Sequence, residues 1–154
     1  MTARLNNAYS YAPESIAAMM ALEKSFGHSG LEHGLMELVK MRASQINGCA
    51  FCLHMHASDA RAHGETEMRL YLLDAWRESS LYSPRERAAL GWTEALTRLA
   101  ETGAPDADYA PVAELFTPAE QVSLTLLIGS INVWNRLQVG FRALHPMDAP
   151  SVAA

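Results

Sequence analysis

The stretch NGCAFCLHMH, residues 47–56, carries both cysteines of the chain and two of its six histidines. Three chemistries use cysteines at this spacing. A c-type haem needs a histidine directly after the second cysteine, where this chain has Leu53. Structural zinc needs about four ligands, usually as two pairs. Only one Cys pair is present, so zinc would have to recruit His56 and a distant His28, His33 or His63. The third chemistry, a redox dithiol, needs nothing further. If Gly48 ends one helix and Cys49 starts the next, both sulfurs lie in a first turn, where unpaired backbone N–H groups and the helix dipole favour a thiolate. Residues three apart on a helix have Cα atoms about 5 Å apart, within the range a disulfide tolerates.

His56 follows Cys52 by four residues and shares its helix face. At about 100° per residue, Cys49, Cys52 and His56 fall within roughly a 60° arc, whereas His54 points to nearly the opposite side. His56 is therefore the candidate base, because an imidazole can take a proton from a thiol whose pKa the helix terminus has lowered. A catalytic imidazole needs a third group to fix its tautomer. Glu37 on the preceding helix can turn back across an Asn-Gly corner to supply it, and spacing leaves Glu32 and Asp59 as rivals.

The elements that position these residues read as helices nearly throughout. Ile16, Met19, Met20 and Phe26 mark one amphipathic segment after Pro13; Leu31, Leu35, Leu38, Val39 and Ile46 mark a second, stopped by Asn47-Gly48. A third runs from Cys49 to Arg61 and ends near Gly64, and 65–76 continues after it. SPRE at 83–86 and TPAE at 117–120 each place a Ser or Thr cap before Pro with Glu three residues on, the capping-box pattern. The first opens a helix to about Glu101, closed by Gly103, and the second a long apolar helix to about Leu144. The turn-rich residues between them hold one short helix. No period-2 pattern competes, so residues 1–154 are expected to form one all-α domain, a bundle of six or seven helices. Met19, Met20, Met36, Met41 and Met55 read as core gap-fillers. Residues 122–141 are apolar enough for a helix at the centre of the subunit or in an oligomer contact, and Trp134-Asn135-Arg136 either line a subunit interface or are ordinary helix surface.

Composition excludes several classes. About half of the 154 residues are apolar, the composition of a globular domain. A net charge of −5, with Lys24 and Lys40 the only lysines, leaves no basic stripe for nucleic acid or anionic lipid. IAAMMAL at 16–22 is too short, and too closely flanked by Glu14 and Glu23, for a secretory signal. No stretch has the length and apolarity of a membrane span. These features predict a cytoplasmic protein that binds neither nucleic acid nor membrane. No Gly-rich strand-to-helix fingerprint for a nicotinamide or flavin is visible.

ELVKMRASQINGCAFCLHMH resembles the core motif of the alkylhydroperoxidase D (AhpD-like) family within the carboxymuconolactone decarboxylase superfamily: Glu, eleven residues, Cys, two residues, Cys, three residues, His. The resemblance extends more loosely over residues 60–97 and INVWNRL. It implies an all-helical subunit that forms trimers or hexamers, and a thiol peroxidase activity without metal or flavin cofactor. It also implies roles: Cys52 attacks the hydroperoxide, Cys49 resolves the product, His56 accepts the proton and Glu37 activates His56 through a relay. An external dithiol, on a lipoyl-bearing or thioredoxin-like partner, would reset the disulfide. The best-studied members carry a further histidine between the cysteines, where this chain has Phe51. Two alternatives keep the fold: a redox adaptor or sensor that passes electrons to a peroxiredoxin, and a decarboxylase of the same superfamily.

Overall fold

The computed structural model describes residues 2–145. Among them are eight α-helices and no strand: α1 Pro13–Ser25, α2 His33–Asn47, α3 Ala50–Ala62, α4 Glu67–Tyr71, α5 Pro84–Thr97, α6 Leu99–Thr102, α7 Asp106–Leu115 and α8 Pro118–Phe141. Both capping boxes form. Ser83 and Thr117 accept the backbone N–H of Glu86 and Glu120, whose carboxylates accept the cap residues' own N–H groups in return.

Two expected helices break, and the second break raises the count to eight. Residues 65–76 fold into α4 and a 3-10 turn, Leu73–Ala75. The helix opened at Pro84 unwinds at Arg98, where the Thr102 hydroxyl donates to the carbonyl of Ala95 at 2.7 Å, and α6 then runs to left-handed Gly103. At the far end α8 stops at Phe141, not Leu144. Arg142 adopts the left-handed conformation, φ 52°, and the N–H groups of Arg142 and Ala143 close on the carbonyls of Val139 and Gln138. That closure normally favours glycine, which is why the sequence gives no warning of it.

The central element is α2, not the apolar α8. Leu35 to Val39 and Met41 to Ser44 are buried, because α2 packs against α3, α5 and α8 together. One side of α8 supplies the core residues Leu124, Leu127, Ile128 and Ile131; Val122, Leu126, Val133 and Val139 on it stay exposed. Polar residues on α2 are satisfied inside the fold. Arg42 donates to Glu94 at 2.8 Å and also pairs with Asp74; Glu94 accepts Trp76 at 2.9 Å and Arg77. This network ties α2 to α5 and to the residues that follow α4. Met36 and Met41 fill the core as expected, whereas Met20 and Met55 lie 58% and 41% exposed.

Candidate active site

One residue both closes α2 and opens α3. The N–H of Cys49 bonds the carbonyl of Ser44 at 2.9 Å across Gly48, which sits at φ 64°, while its sulfur caps α3 by accepting the N–H of Cys52 at 3.3 Å. A side chain on glycine's Cβ would meet no obstacle here, so the demand is on the backbone conformation alone. The corner is anchored from α8: Asn47 donates to Asn132 at 3.0 Å and to Asn135 at 2.8 Å, and Asn135 donates to Ser44 at 3.0 Å. Asn135, from the segment considered for an interface, is buried within the subunit.

Cys49 and Cys52 form a disulfide with Cα atoms 5.4 Å apart, close to the separation expected from helix geometry, and both are buried. His56 lies one turn beyond Cys52 on α3, also buried, and its Nδ1 is 2.8 Å from Oε2 of Glu37 on α2. Burial pushes the Glu37 carboxyl up, but the His56 hydrogen bond outweighs it together with the charges of His56, Lys40 and His33, so the group is held below its usual range. An ionised Glu37 can only accept, so His56 Nδ1 carries a proton, and in the neutral ring Nε2 is then the acceptor.

Sequence spacing missed the groups behind Glu37. Lys40 Nζ lies 3.5 Å from Glu37 Oε1 and 3.5 Å from Glu23 Oε2, bridging α2 to α1. Glu23 in turn accepts the Trp134 indole N–H at 3.0 Å and the Ser130 hydroxyl, both from α8. The i,i+3 spacing of Glu37 and Lys40 was a usable signal. Glu23 gave none.

The rival carboxylates separate clearly. Glu32 is exposed and pairs with Arg85 at 3.0 Å. Asp59 is exposed, though one of its oxygens lies within 4.8 Å of ligand-type atoms of both Glu37 and His56. Two of the three distant candidates for zinc, His33 and His63, pack on each other with ring centroids 4.1 Å apart, and His54 packs against His145 at 4.2 Å.

Two openings reach the site, one at His56 and one at Cys49. A cavity of about 370 Å³ reaches His56 between Met20, Met55, Ile131 and Trp134, with Glu23, Lys40 and Asp59 in its wall. A second, of about 310 Å³, reaches Cys49 between Gly48, Ala50, Arg4 and Arg142. Phe51 and Gln138 line both and form the partition. Gln138 donates to the Tyr9 hydroxyl at 2.5 Å, and the Tyr9 ring lies 5.6 Å from that of Trp134, which fixes the N-terminal segment against α8.

A sequence model of the carboxymuconolactone decarboxylase family matches residues 13–95, a span that includes Glu37, Cys49, Cys52 and His56. The uncharacterised protein YdfG of Bacillus subtilis is 46% identical over 131 residues, covering 85% of this chain and 89% of its own length. A crystal structure from Agrobacterium tumefaciens, described as a protein of unknown function and a candidate antioxidant defence protein AhpD, superposes with a TM-score of 0.89 at 48% identity, over 94% of this chain and 99% of that one. An uncharacterised peroxidase-related protein from Silicibacter, 23% identical, shares the fold with a TM-score of 0.77 over 89% of this chain and 73% of its own.

Proposed function

The chain belongs to the carboxymuconolactone decarboxylase family, in its AhpD-like branch, and from that premise we propose that it is a thiol-dependent peroxidase cycling between dithiol and disulfide. The observation that carries this reading is the buried Glu37–His56 hydrogen bond on the same helix face as a cysteine pair close enough to bond.

In the reduced protein, Glu37 holds the imidazole with Nε2 as acceptor, and His56 removes the proton of Cys52. The first turn of α3 stabilises the thiolate. The thiolate attacks the O–O bond of a hydroperoxide; the O–O pair leaves as alkoxide or hydroxide, takes the proton from His56 and departs as alcohol or water. Cys52 is left as sulfenic acid. The Cys49 thiol attacks that sulfur, releases water and closes the disulfide. An external dithiol, a small thiol compound or a lipoyl-bearing or thioredoxin-like protein, returns two electrons and two protons. Active subunits assemble as a homo-oligomer, a trimer or hexamer, in the cytoplasm.

The test is a single turnover. Reduced protein receives one equivalent of cumene hydroperoxide or hydrogen peroxide, free thiols are counted, and oxidised residues are identified by mass spectrometry. The reading expects prompt loss of two thiols as the Cys49–Cys52 disulfide. If peroxide leaves both thiols intact for minutes while a disulfide-bearing partner oxidises them, the protein is an electron-transfer adaptor and not a peroxidase.

A further inference from the structure

The two openings differ in charge, and only one of them reaches a sulfur: Cys49 lines the smaller, and His56 lines the other. The His56 cavity has Glu23 and Asp59 in its wall beside Lys40 and is otherwise largely apolar. The Cys49 cleft has two guanidinium groups, Arg4 and Arg142, and no acidic residue among its lining. In a chain of net charge −5, five arginines, Arg42, Arg61, Arg69, Arg77 and Arg85, pair with acids. The Arg4 guanidinium donates to the carbonyl of Gly140 at 3.0 Å and its backbone N–H to that of Phe141 at 2.9 Å, and among the described residues neither Arg4 nor Arg142 has an ion pair. Arg142 also occupies a left-handed position, φ 52°, where glycine would close α8 at lower conformational cost. The cap of α8 thus holds a charged residue at the rim of a cleft that reaches a redox sulfur.

We propose that the disulfide is reset through this cleft by a small anionic dithiol, which enters between Arg4 and Arg142 and attacks Cys49, while peroxide chemistry uses the opposite opening. The inference rests on the dithiol cycle argued above. Attack of the incoming thiolate on Cys49 Sγ breaks the Cys49–Cys52 bond and forms a mixed disulfide on Cys49. The electron pair leaves on Cys52, which sits in the first turn of α3 one turn from His56, the better-stabilised leaving thiolate of the two. The second thiol of the dithiol then attacks its own mixed-disulfide sulfur, departs as a cyclic disulfide, and frees Cys49. Two electrons and two protons pass from dithiol to protein. A cleft of about 310 Å³ is at the small end of molecular binding sites. Separate entry lets the reductant and the hydroperoxide be selected by different walls, with Phe51 and Gln138 keeping them apart.

Dihydrolipoate and dihydrolipoamide carry the same dithiol and differ by one negative charge, which makes them the probe pair. Their rate constants for reducing the oxidised protein are measured by acid quench and thiol alkylation. At low ionic strength dihydrolipoate should react about fivefold faster, and the ratio should fall towards one in 0.5 M salt, as for a screened attraction. Arg4→Gln with Arg142→Gln should abolish the preference, and Arg4→Glu with Arg142→Glu should reverse it. The dihydrolipoamide rate reports on folding, because a misfolded variant would alter both. Mercaptoethanesulfonate, an anionic monothiol, should be trapped on Cys49 with Cys52 alkylated. Equal rates in the native protein, a preference that survives loss of both arginines, or an adduct on Cys52 overturns the proposal. Reoxidation by peroxide is assayed separately, so if only that step fails the peroxidase reading falls while this route stands, and the converse holds.

Discussion

Glu37 and His56, nineteen positions apart in the chain, meet at 2.8 Å in the interior because α2 and α3 fold back on each other about the Asn47–Gly48–Cys49 corner. Both side chains come from helices packed on several sides, so the contact is held by the core and not by a loop. A carboxylate that keeps its charge when buried fixes the ring's tautomer, and the corner that creates the contact also places the cysteine pair at the start of α3.

Replacing Glu37 with Gln keeps the shape and removes the charge. The Cys52 thiolate should then form less readily, and peroxide oxidation should slow about a hundredfold, the lower range of acid–base assistance. The rate of Cys52 alkylation against pH separates this from a packing defect: the variant's profile should move to higher pH, while a packing defect would change amplitude without moving the midpoint.

The same carboxyl predicts an acid limb in stability. Its folded pKa is lowered from the ordinary 4.5, so its contribution is complete above that value and is lost as pH falls through the folded value. Thermal unfolding followed from pH 7 to pH 3 should show a shallower acid decline in Glu37→Gln than in the native protein.

Single cysteine variants should separate the two sulfurs. Cys49→Ser should trap a sulfenic acid on Cys52 that dimedone labels, and Cys52→Ser should show no fast peroxide consumption. Labelling of Cys49 in the second variant at the native rate would reverse the assignment.

Different parts of this site were legible to different degrees in the sequence. The cysteine pair, His56 and both capping boxes are local patterns whose geometry is fixed within one or two helical turns, and they appear where their spacing put them. Glu37 depended on the angle between two helices, which spacing alone left open to Glu32 and Asp59. Ser130 and Trp134 reach Glu23 across more than a hundred residues, and Asn135 reaches Asn47 across 88. No local period encodes such contacts. The early stop of α8 was hidden because an arginine stands where glycine would have announced it. The exposed Met20 and Met55 show the same limit from the other side: helical spacing identified an apolar face but not that part of it borders the His56 cavity.

The network that ties α2 to α5 gives a stability prediction independent of the chemistry. Burial pushes the Glu94 carboxyl up, but the hydrogen bonds from Trp76, Arg77 and Arg42 outweigh it and hold it low. Glu94→Ala would leave Arg42 buried with Asp74 as its remaining acid. Removing one partner of a buried pair costs about 3 kcal/mol. Urea unfolding should show an unfolding free energy lowered by that amount, and a loss below about 1 kcal/mol would mean that Asp74 alone satisfies Arg42.

Phe51 gives the last prediction, since it lines both openings. Phe51→Ala should merge the cavities and remove apolar contact from the His56 side. Truncating a half-buried aromatic exposes enough apolar surface to weaken binding of a bulky hydroperoxide by about 1.4 kcal/mol, or tenfold. Hydrogen peroxide makes no such contact, so its rate should change far less. The ratio of kcat/KM for cumene hydroperoxide to that for hydrogen peroxide is the measurement, because it cancels any general effect on the thiolate. A tenfold fall in the ratio places the organic group against Phe51. An unchanged ratio with both rates reduced would mean that Phe51 acts on the cysteines themselves, and Phe51→Leu, which keeps the wall but not the ring, would then restore neither rate.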